Sequence, residues 1–334
     1  LVGGEIGIQA LDVEMRDSVL LGGIAEGLGI EGGQSGNIEL DAIGNISISD
    51  SRLNNEVEEG SIGNAGDINL LANTVEMTNG ARLTLSTMGR GNAGSVTVNA
   101  NESIVISGSN SDEFPSGINV SVGEGGQGDV GQVNLSGEFI EISDGAFILS
   151  GSLGEGNTGN VTLEARETVS LLSEGRISTA VLETGQGNVG NISVIGSQVE
   201  VRDGAQLSSM TSGQGNAGGI DIYGADRMVF SGEDSEGFAS AAFSSVTETG
   251  LGNAGDINLI SRVIQTSDGA FLSSRTSGEG DSGNVTIEGH ESVLLSGGFV
   301  LSGSSGETQT GNAGNVRITG ERIELRDEVY LSSS

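Results

Sequence analysis

Gly187-Asn188-Val189-Gly190-Asn191-Ile192-Ser193-Val194 is one copy of a phrase that the chain repeats from end to end. A G-x-x-G tetrad and a short polar link lead into an aliphatic, a polar and another aliphatic residue. The phrase also stands at Gly63-Asn64-Ala65-Gly66-Asp67-Ile68-Asn69-Leu70 and at Gly311-Asn312-Ala313-Gly314-Asn315-Val316-Arg317-Ile318. Gly91, Gly128, Gly156, Gly215, Gly252 and Gly280 open the same tetrad, Gly33-Gln34-Ser35-Gly36 is a variant, and Leu1-Val2-Gly3-Gly4 fits the register through Ile6 and Ile8. Units therefore begin at residues 1, 33, 63, 91, 128, 156, 187, 215, 252, 280 and 311, with full lengths of 28 to 37 residues that leave no remainder in the 334. A repeat at fixed short period is the mark of a solenoid or propeller and decides the fold before any local reading does.

A second period lies above the first. Unit lengths of 28, 37, 28 and 31 return as a block of 124 residues, so that Ser143-Asp144-Gly145-Ala146-Phe147 reappears as Ser267-Asp268-Gly269-Ala270-Phe271. Duplication of a four-unit block lengthens an array and is hard to reconcile with one unique active site.

Within each unit, aliphatic and polar residues alternate, the period of a strand with one buried face. The fifth and seventh residues after the opening position are aliphatic in every unit, as in Ile38/Leu40, Val96/Val98, Val161/Leu163 and Ile220/Ile222. A second short strand follows, as in Val75/Met77 and Val199/Val201, with Thr266 as its one lapse. Next come turns at Asn79-Gly80, Asp144-Gly145, Asp203-Gly204 and Asp268-Gly269, dipeptides suited to positive φ. A third strand then reads Ala81-x-Leu83, Ala146-x-Ile148, Ala205-x-Leu207 and Ala270-x-Leu272. Three short strands with a common apolar side cannot bury themselves alone, but stacked parallel at about 4.8 Å they can. The expected fold is all-β: a right-handed parallel β-helix, or β-solenoid, of about eleven coils of three short strands, one continuous body over residues 1–334. Handedness follows the general preference of parallel crossovers. The β-propeller and the leucine-rich repeat lack their marker residues here. The pattern runs into both ends, so the chain is expected to be a stretch of a longer one.

Composition agrees and narrows the function classes. The chain has 59 glycines, one proline, no cysteine and no tryptophan, and its 13 basic residues are all arginine. An apolar content of 35% with only 3% aromatic means an aliphatic core. A net charge of -33 excludes nucleic-acid binding, which needs a basic stripe, and is repelled by anionic membrane surfaces. No apolar run approaches a membrane span, so no membrane insertion is expected in this segment.

The recurring Gly-Asn-Ala-Gly-(Asp/Asn)-Ile-x-Leu, with Val-x-(Met/Val), Asn/Asp-Gly-Ala-x-Leu and a Ser/Thr-Gly-x-Gly-Asn exit, resembles the repeat region of filamentous-haemagglutinin-like exoproteins of Gram-negative bacteria, adhesin-like surface proteins. The resemblance covers essentially the whole chain. It implies two-partner secretion, a right-handed β-helix, and a location outside the cell or on its surface, with work as an adhesin or extracellular filament. The family's secretion domain carries Asn-Pro signatures, and the single proline here is Pro115, so that module is not in this segment.

Asn64, Asn92, Asn157, Asn188, Asn216, Asn253 and Asn312, with Asp129 and Asp281 as substitutes, are expected to form a structural ladder at one corner, each side chain bonding the next coil. The competing reading is a cation site, for which Asp144, Asp203 and Asp268 are the Ca²⁺ candidates by charge; no cofactor is expected. The one histidine, His290, is expected to sit in a solvated loop without a catalytic partner. Nine extra residues between Gly108 and Ile118 carry Phe114 and recur around Phe238. Phe147 and Phe271 fall at outward parity one coil later, so each long loop is expected to cover a phenyl ring. Otherwise Phe114, Phe147, Phe238 and Phe271 form a repeated surface patch for a ligand or partner. The expected partners are adjacent coils of the same longer chain, other rods end to end or laterally, and cell-surface glycans or proteins. Catalysis is not expected; the alternative is a carbohydrate-active β-helix enzyme or a glycan-binding module.

Overall fold

The computed structural model describes residues 4–304 and 311–334; the expected start of the first coil at Leu1 lies outside them. Every regular element among the described residues is a strand, and every strand-to-strand ladder is parallel. Two sheets run the length of the molecule. One is built from the first strands of successive units, from Ile6–Ala10 to Val316–Arg326, and the other from the third strands, from Val19–Ile24 to Tyr330–Ser333, eleven in all. A third ladder of single bridges joins Ile62, Arg90, Gln127, Glu155, Gln186, Gln214, Leu251 and Glu279 just before each tetrad. The chain is a β-solenoid of about eleven coils.

One expectation changes. Only the first two coils keep separate first and second strands, Ile6–Ala10 with Val13–Arg16 and Ile38–Ala42 with Asn45–Ser49. From Ile68–Thr78 onward the two run together as one strand of 10 to 12 residues, bent where the register shifts. No residue at these bends takes positive φ, so the chain stays extended and turns by a bulge instead of a loop. The inward residue at the bend is small, Ala72, Ala100, Gly137, Ala165, Gly196, Gly224, Ser261, Gly289 or Gly320. At Gly289 a Cβ would stand 2.5 Å from the Ser292 carbonyl oxygen, so the bulge fills its own inside corner.

The main core cluster runs from Val13 to Val300, and Ile24, Val57 and Ala65 form a second, small one. In register, Ile38, Ile68, Val96, Val133, Val161, Ile192, Ile220, Ile257 and Val285 form a fully buried aliphatic column. In the last coil Ile323 and Leu325 stand exposed, since no further strand pairs with that side of them. The Thr266 lapse has a volume explanation: it sits in register on Phe230, the largest fully buried side chain, which replaces the aliphatic residue of the coil below. A small side chain above a large one keeps the column filled. Phe230→Ala is expected to lower stability by about 3–5 kcal/mol, read from the urea unfolding midpoint. A loss below about 1 kcal/mol would mean that Thr266 and Val201 do not pack on the ring.

Candidate functional site

The corner tetrads carry the most regular polar chemistry. The side-chain oxygen of each Asn or Asp accepts the backbone N–H of the equivalent residue one coil on. Asn64 accepts from Asn92 at 2.8 Å, Asn92 from Asp129 at 2.8 Å, Asp129 from Asn157 at 2.8 Å and Asn157 from Asn188 at 2.8 Å. The column continues through Asn216 (3.0 Å), Asn253 (2.9 Å), Asp281 (2.8 Å) and Asn312 (2.6 Å) without a break. These side chains are turned along the rod and spent on the next coil.

A second column, to which the sequence reading assigned no role, stands three residues further on. Asn37 accepts from Asp67 (2.9 Å), Asp67 from Ser95 (2.8 Å), Asn160 from Asn191 (2.8 Å), Asn191 from Gly219 (2.8 Å), Asp256 from Asn284 (2.6 Å) and Asn284 from Asn315 (2.9 Å). Its signal was present as the recurring Asp/Asn after the second tetrad glycine. A third set is buried. In the fourth position of the short strands, Ser244 donates to the Gly218 carbonyl (3.0 Å) and accepts from the Gly255 amide (2.8 Å), while Ser274 does the same with Gly255 (2.9 Å) and Gly283 (2.8 Å). These hydroxyls satisfy corner backbone groups that face the core, where an unmet amide would be costly.

Asp144, Asp203 and Asp268 lie in the turns between the two sheets, each exposed and at positive φ (53°, 56° and 54°), each followed by a positive-φ glycine. They occupy alternate coils, with Ser173 and Gly232 between them in the turn column, so their separation along the rod is about 10 Å. The fold does not make the three carboxylates converge. Among the described residues no three His, Cys, Asp or Glu side chains form a metal-binding group. His290 lies in the strand Val285–Ser296 rather than in a loop, exposed, with Nδ1 3.7 Å from Glu288.

The long loop of the fourth coil folds as a small hairpin, Ser109 bridging Pro115, with Asn110 Oδ1 accepting the amides of Asp112 and Phe114 at 3.0 Å each. Its equivalent pairs Glu233 with Ala239, and Asp234 takes the place of Asn110. Phe114 and Phe147 lie on one side of the rod, bracketing the Arg82 guanidinium at 5.5 and 5.6 Å. Arg82 also donates from Nε to the Pro115 carbonyl (3.1 Å), and the Phe147 ring lies over Gly117, where a Cβ would meet it at 2.6 Å. Burial, and Arg52 in the adjoining register position, lower the pKa of Arg82 from its ordinary value. The second block differs: Gln206 stands where Arg82 does, Phe238 is 56% exposed, and Phe271 meets Phe299 edge-on at 6.3 Å, which in turn meets Tyr330 at 5.9 Å.

Charge is sorted between the faces. The long sheet and the turns carry the carboxylates, whereas among the outward positions of the eleven short strands Glu56 is the one acidic residue. Burial raises the pKa of Glu56, with Glu58 adding to the rise and a hydrogen bond to Ser86 opposing it. No protein-family model matches the chain, and no characterised protein or solved structure does.

Two testable outcomes arise from this geometry. Asn188→Ala, which takes the acceptor from the Asn216 amide, is expected to cost about 1 kcal/mol, whereas Asn188→Asp, keeping the oxygen, is expected to cost less; urea midpoints decide. For Glu56, a folded pKa above the unfolded one means that ionisation opposes folding, so stability falls as pH rises from the ordinary value of 4.5 through the raised one. Glu56→Gln is expected to be more stable than the parent at pH 7 and equal to it below pH 4.5; a constant difference across pH would contradict the assignment.

Proposed function

We propose that this chain is a stretch of a secreted or cell-surface rod of the filamentous-haemagglutinin type, whose work is reach and attachment or the assembly of extracellular material. The observation that carries the reading is that the Asn/Asp corner column runs unbroken from Asn64 to Asn312, each side chain tied to the next coil. Polar groups that a catalytic groove would leave free to meet substrate are here used to hold coils in register. The 124-residue block supports the same reading, since a length unit that can be duplicated in register adds reach without adding a new centre. A surface of net charge -33 keeps such rods dispersed in solution.

The test uses two deletions that remove one block each and rejoin equivalent positions, residues 63–186 or residues 187–310. Both shortened rods are expected to fold, and beads coated with either are expected to keep attaching to cell and glycan-coated surfaces to a similar, reduced degree. Loss of attachment in one deletion only, or release of sugar products from a polysaccharide panel by the parent chain, would favour a localised binding or catalytic module instead.

A further inference from the structure

The duplicated block carries the long-loop hairpin twice, on one backbone pattern with two different chemistries. In the first hairpin the Arg82 guanidinium lies 5.5 Å from the Phe114 ring and donates from Nε to the Pro115 carbonyl at 3.1 Å. Gln206, Phe238 and Ala239 hold those places 124 residues on. The second hairpin is bonded as the first is: the Asp234 amide donates to the Phe238 carbonyl and the Ser240 amide to Gly232, as Asn110 does to Phe114 and Ser116 to Gly108. The ring and the carbonyl that receive a guanidinium are therefore kept, and the guanidinium is gone. Among the described residues the Ala239 carbonyl accepts no hydrogen bond, the Gln206 side chain makes none, and Phe238, 56% exposed, has no cation over its ring.

We propose that the second hairpin binds an arginine side chain of a basic polypeptide, its guanidinium stacked on Phe238 and donating to the Ala239 carbonyl as Arg82 does within the first. A planar guanidinium can lie on a ring and donate at its edge at once, which a lysine ammonium does less well. The second site is also open on one side. Ala241 stands where Gly117 does, and its methyl takes the ground over which Phe147 lies, so Phe271 turns to Phe299 instead.

Charge around the hairpin selects the same occupant. Asp203 replaces Asn79, Glu233 replaces Ser109 and Asp234 replaces Asn110, against one acid lost where Gly237 replaces Glu113. Two of these carboxylates lie along the hairpin: a Cβ on Gly232 would stand 2.5 Å from Asp203 Oδ1, and one on Gly269 2.8 Å from Glu233 Oε1. Two bases stand nearby. Arg202 is engaged by Glu200 and Ser231, and Arg176 lies in register beneath Gln206 just as Arg52 lies beneath Arg82 without displacing it. A second copy of the chain, at -33, is repelled, whereas a basic segment is drawn in. The inference rests on the duplicated hairpin alone and holds whether or not the rod attaches to surfaces.

The test titrates fluorescein-labelled hexaarginine and hexalysine with the full chain and reads anisotropy. Hexaarginine is expected to bind at least about threefold tighter than hexalysine. Gln206→Arg refills the site from within, as Arg82 fills the first, and is expected to weaken hexaarginine at least about fivefold and to remove its advantage over hexalysine. Ser208→Arg adds the same charge two residues along the same strand and is expected to weaken hexaarginine less than about twofold. Phe238→Ala, at an exposed ring, is expected to keep the parental urea midpoint and to lose the preference for arginine. Equal binding of the two peptides by the parent chain, or equal losses from Gln206→Arg and Ser208→Arg, would reduce the attraction to net charge and overturn the proposal. Absence of hexaarginine binding at millimolar peptide would overturn it as well.

Discussion

Each coil is held to the next by glycine resting on glycine at the tetrad corner. A Cβ on Gly91, Gly128, Gly156, Gly187, Gly215 or Gly252 would overlap the carbonyl oxygen of the tetrad-opening glycine one coil earlier, and the same holds for the closing glycines Gly94, Gly131, Gly159 and Gly190. Opening glycines from Gly63 to Gly280 also take φ between +133° and +149°, a conformation that other residues rarely adopt. These two columns bring successive corners close enough for the backbone to pair through Arg90, Gln127, Glu155 and Gln186, and for the Asn/Asp oxygens to reach the next coil. Once the corners are stacked, both sheets inherit their register, and the aliphatic columns fall on one another as a consequence.

That constraint also sorts the surface. Polar side chains at the corner are directed along the rod, and the buried hydroxyls of Ser244 and Ser274 are taken up by corner backbone on the inside. Surface chemistry is thereby left to the outward positions of the two sheets and to the turns, where the carboxylates crowd. The short-strand face is set apart by its arginines and aromatic rings. The two 124-residue blocks share their order of strands but differ on this face, where Arg82 gives way to Gln206 and the Phe147 contact with a guanidinium becomes the Phe271–Phe299–Tyr330 series.

Much of the fold was legible because period-two alternation and the G-x-x-G spacing are properties of consecutive residues. Ile68/Leu70 and Val161/Leu163 announce an inward face wherever they occur. What escaped depends on neighbours one coil away. The fusion of first and second strands could not be read from Ala100-Asn101-Glu102, since nothing local distinguishes a bulge that keeps φ negative from a short turn. Serine in the fourth position of the short strands reads as the polar end of a strand until the facing glycine carbonyl is known. Arg82 gains its meaning only from Phe114, 32 residues on, and from Phe147, two coils on.

The glycine columns can be tested against a glycine that lacks the close approach. Gly190 has ordinary φ, and its Cβ would overlap the Gly159 carbonyl oxygen, whereas Gly145 sits at φ +74° with open space around it. Gly145→Ala carries only the backbone penalty of a left-handed alanine, about 1–2 kcal/mol. The direct measurement is the urea unfolding midpoint of Gly190→Ala beside that of Gly145→Ala. If the corner contact holds the coils together, Gly190→Ala loses at least twice as much stability; equal or smaller loss at Gly190 would contradict the account.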